Sequence, residues 1–284
     1  MLLIGVDFTS APRRAKPITA AFGRLAGEVP QQRTEPRVEL TGLEAFDDWP
    51  AFETLLARPG PWLGAFDFPF GLPREAVVDL GWPQSWPELV RHCAALGKAG
   101  FRAALDAYRE SRPIGRRYAH RATDLPARSH SPLKLVNPPV GLMFLEGAPR
   151  LLAAGATLPG LHAGDPQRIA VEAYPGLLAR SITGDSYKSD EKRKQTPERR
   201  NARKRIVAAL DRGHPAGGLQ LQLSPSQACY LIDDASGDRL DAVLALMQAA
   251  ACARAGAPRY GLPAQTDPLE GWIAGTPYTG KHHM

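Results

Sequence analysis

Residues 2–10 read LLIGVDFTS, an apolar run that ends in a carboxylate. The apolar part predicts a buried β-strand, with Asp7 near its carboxyl end. Gly5 predicts a point where another backbone or a ligand comes close to the strand. A buried strand rarely accepts an aspartate unless its charge is paired or bound to a metal ion. The simpler alternative is that Asp7 caps a turn formed by Thr9 and Ser10.

The same pattern returns twice along the chain. Residues 62–68 read WLGAFDF and carry Asp67, and residues 168–174 read RIAVEAY and carry Glu172. Both runs are typical of strands in a buried sheet. Three such carboxylates in one sheet would repel each other strongly if they were left unpaired. Divalent cations that prefer hard oxygen ligands, Mg²⁺ or Mn²⁺, would remove that conflict.

A further acidic pair opens an alanine-rich helix that we predict over residues 238–254. Asp238 and Asp241 are three residues apart, which places both on one side of the helix. Gly237 permits a helix to start here, so Asp238 has an alternative role as an acid that the helix dipole favours. Asp241 lies deeper in the helix and directly precedes an apolar run, which makes it the better candidate for a metal ligand.

Secondary-structure patterns give the order three strands, a helix and a strand for the first part of the chain. Strands two and three are predicted over 17–25 and 37–43, and Asp48 can cap the helix that follows them. Residues 71–167 are too long to be a plain connection, and we interpret them as a largely helical insertion that covers one face of the core. A single domain over residues 1–284 is expected.

Composition limits the class of protein. The 284 residues are 44% hydrophobic and 23% charged, which is typical of a soluble globular protein. No apolar run of about 18 residues is present, so we expect no transmembrane helix, and no signal peptide is evident. The three scattered cysteines include no CxxC pair, which argues against a disulfide framework or a zinc site. Buried free thiols in a cytoplasmic protein are the expected arrangement.

The net charge of +6 is concentrated in two segments. Residues 98–134 contain nine basic and three acidic side chains, and residues 180–214 contain eleven and five. Such segments suit a nucleic-acid partner, although a solvated basic helix face is the common alternative. The candidate phosphate contacts are Lys188, Lys192, Arg193, Arg200 and Lys204, with Arg116, Arg117 and Arg121 on the other side of a groove. Tyr118, Tyr187 and Trp82 are candidate stacking platforms, with core packing as the alternative.

Together these motifs resemble a known family. IGVDFTS, AFDFPFGLP, VEAYP, DRLDAV and EGWI, with the YK-rich segment near residue 187, resemble the DUF429 family of predicted nucleases. The D-x-x-D-A arrangement over residues 238–242 is also similar to that of RuvC-type Holliday-junction resolvases. The resemblance covers most of the chain and is weak over residues 90–165. It supports the fold more than the substrate, because the activity of the family is itself largely inferred from fold.

The resemblance implies an α/β fold with a ribonuclease H-like mixed sheet flanked by helices. Strands one to three would be antiparallel, and the strand of Asp67 would lie beside the strand of Asp7. Asp7, Asp67, Glu172 and Asp241 would form the catalytic and metal-binding set, with Asp238 as an outer or alternative ligand. None of the phosphate-binding GxxxxGK[ST], dinucleotide-binding GxGxxG or nucleophile GxSxG motifs is present.

We therefore predict a nuclease that hydrolyses phosphodiester bonds with two Mg²⁺ or Mn²⁺ ions bridged by Asp7. One ion would activate the attacking water, and the other would stabilise the leaving oxygen. Two alternatives stay open. The first is a non-catalytic nucleic-acid or protein-binding module on the same fold. The second is an ATP-dependent phosphotransferase or ATPase of the actin-like type, although such proteins need two cores and the sequence shows one set of motifs.

Overall fold

The computed structural model describes residues 1–26, 36–213 and 218–278. A seven-stranded mixed sheet runs through its centre in the order β5-β6-β4-β1-β2-β3-β7. The strands are β1 Leu2–Asp7, β2 Ile18–Ala26, β3 Arg37–Phe46, β4 Trp62–Phe66, β5 Ala156–Thr157, β6 Asp165–Glu172 and β7 Gln220–Gln222. The three apolar runs that carry acids therefore form β1, β4 and β6, which are neighbours in the sheet.

Helices cover both faces of this sheet. They are α1 Trp49–Leu56, α2 Arg74–Asp79, α3 Trp86–Glu110, α4 Asp124–Ala127, α5 Val140–Ala154, α6 Pro175–Ile182, α7 Pro197–Asp211, α8 Pro225–Asp233 and α9 Asp238–Ala255. Apolar side chains of α1, α2, α3 and α5 form the core on one face. Those of α6, α7, α8 and α9 form the core on the other. Within the described part of the chain, none of these helices has the length and apolar character needed to cross a membrane.

The strand directions confirm the predicted fold class. Strands β1, β2 and β3 are antiparallel to one another in sequence order, whereas β4 and β6 run parallel to β1. Val6 is opposite Phe66, and Phe66 is opposite Glu172. The result is a mixed α/β sheet flanked by helices, consistent with a ribonuclease H-like fold. Parallel neighbours bring the carboxyl ends of β1, β4 and β6 to one edge of the sheet.

Several predicted boundaries differ from the observed ones. The predicted strand over 62–68 ends at Phe66, so Asp67 follows the strand instead of lying within it. The predicted largely helical character of residues 71–167 is observed, for example in the 15-residue helix α5. The long helix α3 is interrupted at Gly97, whose φ of 64° is not helical. The short elements α2, α4, α6, β5 and β7 were not predicted, because two to eight residues carry too little periodicity to be recognised.

The segment between the neighbouring strands β4 and β6 contains four helices, α2 to α5. Phe101 of α3 and Phe144 of α5 lie in the same core as Ile4 and Val6 of β1. The segment thus covers one face of the sheet. Of the three cysteines, Cys93 and Cys252 are buried free thiols as predicted, whereas Cys229 is an exposed free thiol.

Helix α9 packs directly on the central strand. A Cβ atom at Gly5 would overlap the backbone of Ala242 and Leu246, so only glycine permits this approach. The predicted close approach to Gly5 is therefore made by α9. Burial of almost every apolar residue of α9 stabilises this contact. As a consequence, the first turn of α9, which carries Asp238 and Asp241, is held against the carboxyl end of β1.

Candidate functional site

All five predicted acids line one open pocket of about 640 Å³, which we call the acidic pocket. Asp7 ends β1, Asp67 follows β4 and Glu172 ends β6. Asp238 and Asp241 enter from the first turn of α9. Side chains separated by up to 234 residues in the sequence thus share one space, because the strand register and the contact of α9 with Gly5 bring them together.

Asp7 and Asp67 are the acids of the pocket that lack a donor. Asp7 is 7% exposed, and Asp67 is intermediate in exposure. No described residue donates a hydrogen bond to either side-chain carboxylate. Burial raises the pKa of Asp7 well above its usual value and that of Asp67 to about 7, and the charge of Asp241 adds to both effects. Two carboxylates of this kind attract a cation or a proton.

Asp241 differs, since protein donors occupy both of its oxygens. It is fully buried. Tyr187 Oη donates to Asp241 Oδ1 at 2.5 Å, and Lys188 Nζ contacts Asp241 Oδ2. Burial by itself would lower the pKa of Lys188, but the charges of Asp241 and Asp7 and the hydrogen bond to Asp241 hold it well above its usual value. Lys188 therefore supplies a positive charge that Asp7, Asp67 and Asp241 share.

The segment that carries Lys188 is held in place by α7. Arg203 Nη1 donates to the carbonyl oxygen of Tyr187 at 2.6 Å, and Arg199 Nη1 donates to that of Lys188. Gly237 has a φ of 80°, and a Cβ atom there would lie 2.6 Å from the Cβ of Lys188. Arginines of the most basic segment thus fix the backbone beside the site. The ammonium group itself remains at the end of a side chain that is 44% exposed.

Glu172 is neutralised in another way. Arg121 donates through Nη2 to Glu172 Oε1 and through Nη1 to Oε2, each at 2.7 Å. The backbone N–H of Phe70 donates to Oε2 at 2.9 Å. Arg121 also donates to Asp124 Oδ1, at 2.9 Å through Nη2. Arg121 is 2% exposed, which corrects the prediction that it contacts phosphate, because its guanidinium is committed to two buried carboxylates.

Two more residues complete this edge, and the sequence alone did not identify their roles. Lys16 Nζ donates to Asp238 Oδ1 at 2.7 Å and to Asp190 Oδ1 at 2.9 Å. Glu270 accepts from the backbone N–H groups of Arg74 and Ala122, both at 2.9 Å, which fixes the loop that carries Arg121. The EGWI motif was a signal for Glu270. Nothing in the linear pattern around Lys16 indicated a partner 222 residues away.

The other predicted phosphate contacts do not converge on the acidic pocket. Lys188 and Arg121 line it, whereas Lys192 lines a neighbouring cavity. Arg200 is paired with Asp233 at 2.6 Å, and Arg193 with Glu191 at 2.9 Å. Lys204, Arg116 and Arg117 are exposed elsewhere. Among the predicted stacking platforms, Trp82 is buried against Phe101, and Tyr187 is bonded to Asp241.

The described residues include no group of three or more His, Cys, Asp or Glu side chains arranged to hold a metal ion as they stand. The contacts account for this: Asp241 is engaged by Lys188 and Tyr187, and Glu172 by Arg121. The donor set of Asp7 and Asp67 fits a hard divalent cation.

Comparisons with known proteins identified no relative of this chain. No protein-family model, no curated protein and no solved structure matches the chain. The resemblance to the DUF429 family thus stays a prediction that rests on the motifs quoted above.

Proposed function

We propose that this chain is a metal-dependent nuclease that hydrolyses phosphodiester bonds in the acidic pocket. One observation carries the proposal. Asp7 ends β1, Asp67 directly follows the neighbouring parallel strand β4, and both face an open pocket without a described hydrogen-bond donor to either carboxylate. Holding two such carboxylates together is costly unless a cation joins them. The neighbouring carboxylates of Asp238 and Asp241 supply oxygen ligands of the type that Mg²⁺ and Mn²⁺ prefer.

Asp7, Asp67 and Asp241 would hold the ions, and Asp238, at the entrance from the first turn of α9, would be a further candidate ligand. Bound ions of this kind neutralise the phosphate and lower the pKa of a bound water. Glu172 takes a different role in this proposal than the resemblance implied. Because Arg121 and Phe70 occupy both of its oxygens, it fixes the end of β6 and the insertion beside the site.

Lys188 has two roles in this proposal. Without a divalent cation, its ammonium group neutralises the acids of the pocket. A cation that binds Asp241 competes with it, and the 44% exposure of the side chain leaves Lys188 room to turn toward solvent. There it would be available to a phosphate of the substrate, as its position in the basic segment first indicated. We propose a cytoplasmic location for this reaction, which the three free thiols support.

The test uses Asp7→Asn beside Asp47→Asn, an exposed aspartate outside the pocket. The first substitution keeps the size of the side chain and removes the charge. We expect cleavage of single-stranded or duplex DNA or RNA to fall by about a thousandfold, since metal binding contributes several kcal/mol to such reactions. Mg²⁺ or Mn²⁺ should raise the melting temperature of the parent and of Asp47→Asn more than that of Asp7→Asn.

Three other results would contradict the proposal. If neither Mg²⁺ nor Mn²⁺ changes the melting temperature and no substrate is cleaved, the chain is a binding module on this fold. A large upward shift in melting temperature with ATP would indicate a phosphotransferase or ATPase instead. Cleavage that survives Asp7→Asn would place the reaction outside the acidic pocket.

A further inference from the structure

A second cavity of about 600 Å³ adjoins the acidic pocket, and the two share Lys16, Asp190 and Asp238 as a common wall. The far side of this cavity is lined by the turn before β2, the 3-10 helix Lys192–Lys194 and the facing ends of α8 and α9. Its polar lining includes Arg13, Arg14, Lys192, Gln195, Tyr230 and Arg239, and we call it the Arg13 cavity.

Charges in the wall of the Arg13 cavity are unevenly satisfied. Each acid there already has a partner: Asp190 and Asp238 pair with Lys16, Glu44 pairs with Arg58, and Asp234 accepts hydrogen bonds from the Ser236 hydroxyl and the backbone N–H of Arg239. Arg13, Arg14 and Lys192, in contrast, have no carboxylate partner in the described parts of the chain. All three are exposed. Three cations without partners around one cavity attract an anionic ligand.

An aromatic side chain lies among these cations. Tyr230 is 50% exposed, which is unusual for a large aromatic residue. The guanidinium of Arg239 lies over its ring, with Arg239 Cζ 3.8 Å from the ring centroid. A tyrosine and an arginine in this arrangement offer flat surfaces on which a nucleobase can stack, beside cations that can contact the phosphates.

We propose that the Arg13 cavity binds a single-stranded segment of the nucleic-acid substrate, next to the phosphodiester bond in the acidic pocket. This inference rests on the proposed function and adds that the nucleic-acid substrate is single-stranded where it contacts the Arg13 cavity. A single strand is favoured because its bases expose their flat faces, whereas bases in a duplex are stacked on both sides. Lys16, Asp190 and Asp238 line both cavities, so the two are direct neighbours and one strand is long enough to occupy both.

The experiment measures binding separately from cleavage. A fluorescein-labelled single-stranded oligonucleotide, as DNA and as RNA, is titrated with full-length Asp7→Asn protein, and anisotropy gives the Kd at several salt concentrations. In this background Arg13→Gln/Arg14→Gln should weaken binding about tenfold or more. The plot of log Kd against log salt should become less steep by about 1.4, since two phosphate contacts with a single strand are lost.

The matched control is Arg91→Gln/Lys98→Gln, which removes two exposed charges from α3, outside both cavities. It should keep the parent Kd and the parent salt dependence. Tyr230→Leu should weaken binding of the normal oligonucleotide more than that of an abasic one of equal length, and Tyr230→Phe should bind as the parent does. An equal loss with both double substitutions, no binding at all, or tighter binding of duplex than of single strand would each overturn the inference.

The two proposals fail independently in these experiments. If the chain cleaves nucleic acid in a metal-dependent way but the Arg13 and control variants bind alike, only the role of the Arg13 cavity is wrong. If the Arg13 variants lose binding while no metal-dependent cleavage or stabilisation is found, the cavity binds a single strand and the nuclease proposal is wrong.

Discussion

Two acidic groups meet at the same edge of the sheet, and the protein neutralises them differently. Glu172 is paired with Arg121, whose guanidinium donates to both carboxylate oxygens and is 2% exposed. Asp241 is paired with Lys188, a single ammonium on a side chain that is 44% exposed. The first pair is a rigid fork with a second carboxylate, Asp124, behind it. The second is a point charge on a flexible stem.

This difference separates a structural ion pair from one in which, under the proposed function, a divalent cation would replace the ammonium group. Removal of Arg121 would leave two buried carboxylates without a counter-charge, and solvent cannot reach them. In the proposed function a divalent cation would displace Lys188 from Asp241, and the 44% exposure of the Lys188 side chain gives it access to solvent. The sequence predicted both Glu172 and Asp241 as metal ligands, and because of this difference the proposed function keeps only Asp241 in that role. The following predictions test this comparison.

Arg121→Met should cause the largest loss of stability. Breaking a buried ion pair costs about 3–5 kcal/mol of the free energy of unfolding, because uncompensated charges remain. Urea denaturation measures this loss, and Arg121→Lys, which keeps the charge but not the fork, should lose less. Arg24→Met removes an arginine from an exposed pair with Glu39 and should leave the free energy unchanged. A loss below about 1 kcal/mol for Arg121→Met would remove the distinction between the two pairs.

Asp67→Asn should increase stability in metal-free buffer, and the gain should grow with pH. The pKa of Asp67 in the folded protein is raised to about 7. Between about pH 4 and 7 the folded state therefore binds more protons than the unfolded state, so the free energy of unfolding of the parent falls as the pH rises through this window. Asparagine does not titrate, and the variant should avoid this fall.

At pH 8 the gain from Asp67→Asn should reach about 2 kcal/mol, less than full linkage predicts because Asp67 is partly exposed. Urea denaturation at pH 5, 6, 7 and 8 measures it, with Asp47→Asn as the control. If the free energies of unfolding of parent and variant change in parallel with pH, the pKa of Asp67 is not raised in the folded protein and the prediction is wrong.

Lys188→Met should have the smallest effect on the free energy of unfolding, and this effect should be the one that Mn²⁺ reverses. Loss of the ammonium leaves Asp7, Asp67 and Asp241 to repel each other, but at pH 7 the cost is limited to about 1 kcal/mol, because Asp67, whose pKa is about 7, can bind a proton instead. Mn²⁺ should restore this loss and should bind the variant at a lower concentration than the parent, since its competitor is gone. The loss in Arg121→Met should not respond to Mn²⁺.

Melting temperatures recorded over a range of Mn²⁺ concentrations measure both the restored stability and the Mn²⁺ concentration at which each variant binds the ion. Lys204→Met, which removes an exposed lysine from the same basic segment, should behave as the parent does. If Mn²⁺ affects Lys188→Met and Arg121→Met alike, or binds Lys188→Met more weakly than the parent, Lys188 does not compete for the carboxylates.

The sequence by itself determined the fold class and the acids of the site. Apolar runs that end in Asp7, Asp67 and Glu172 specify strands, because burial of such runs outweighs the weaker local preferences around them. The three-residue spacing of Asp238 and Asp241 places both in the first turn of α9. Gly5 predicted that another backbone comes close to β1, and the structure shows that this backbone is α9. Each of these signals is local, since it depends on periodicity and residue type within one element.

Only the tertiary structure decided which charges meet. Arg121, Lys188 and Arg203 look alike in a linear reading, as basic residues in basic segments. The fold buries Arg121 against Glu172, aims Lys188 at Asp241, and uses Arg203 to hold the carbonyl of Tyr187. Partners such as Lys16 and Asp238 are 222 residues apart in the chain. Charge interactions depend on distance and burial, and neither quantity exists until the sheet and α9 have brought the two ends of the chain together.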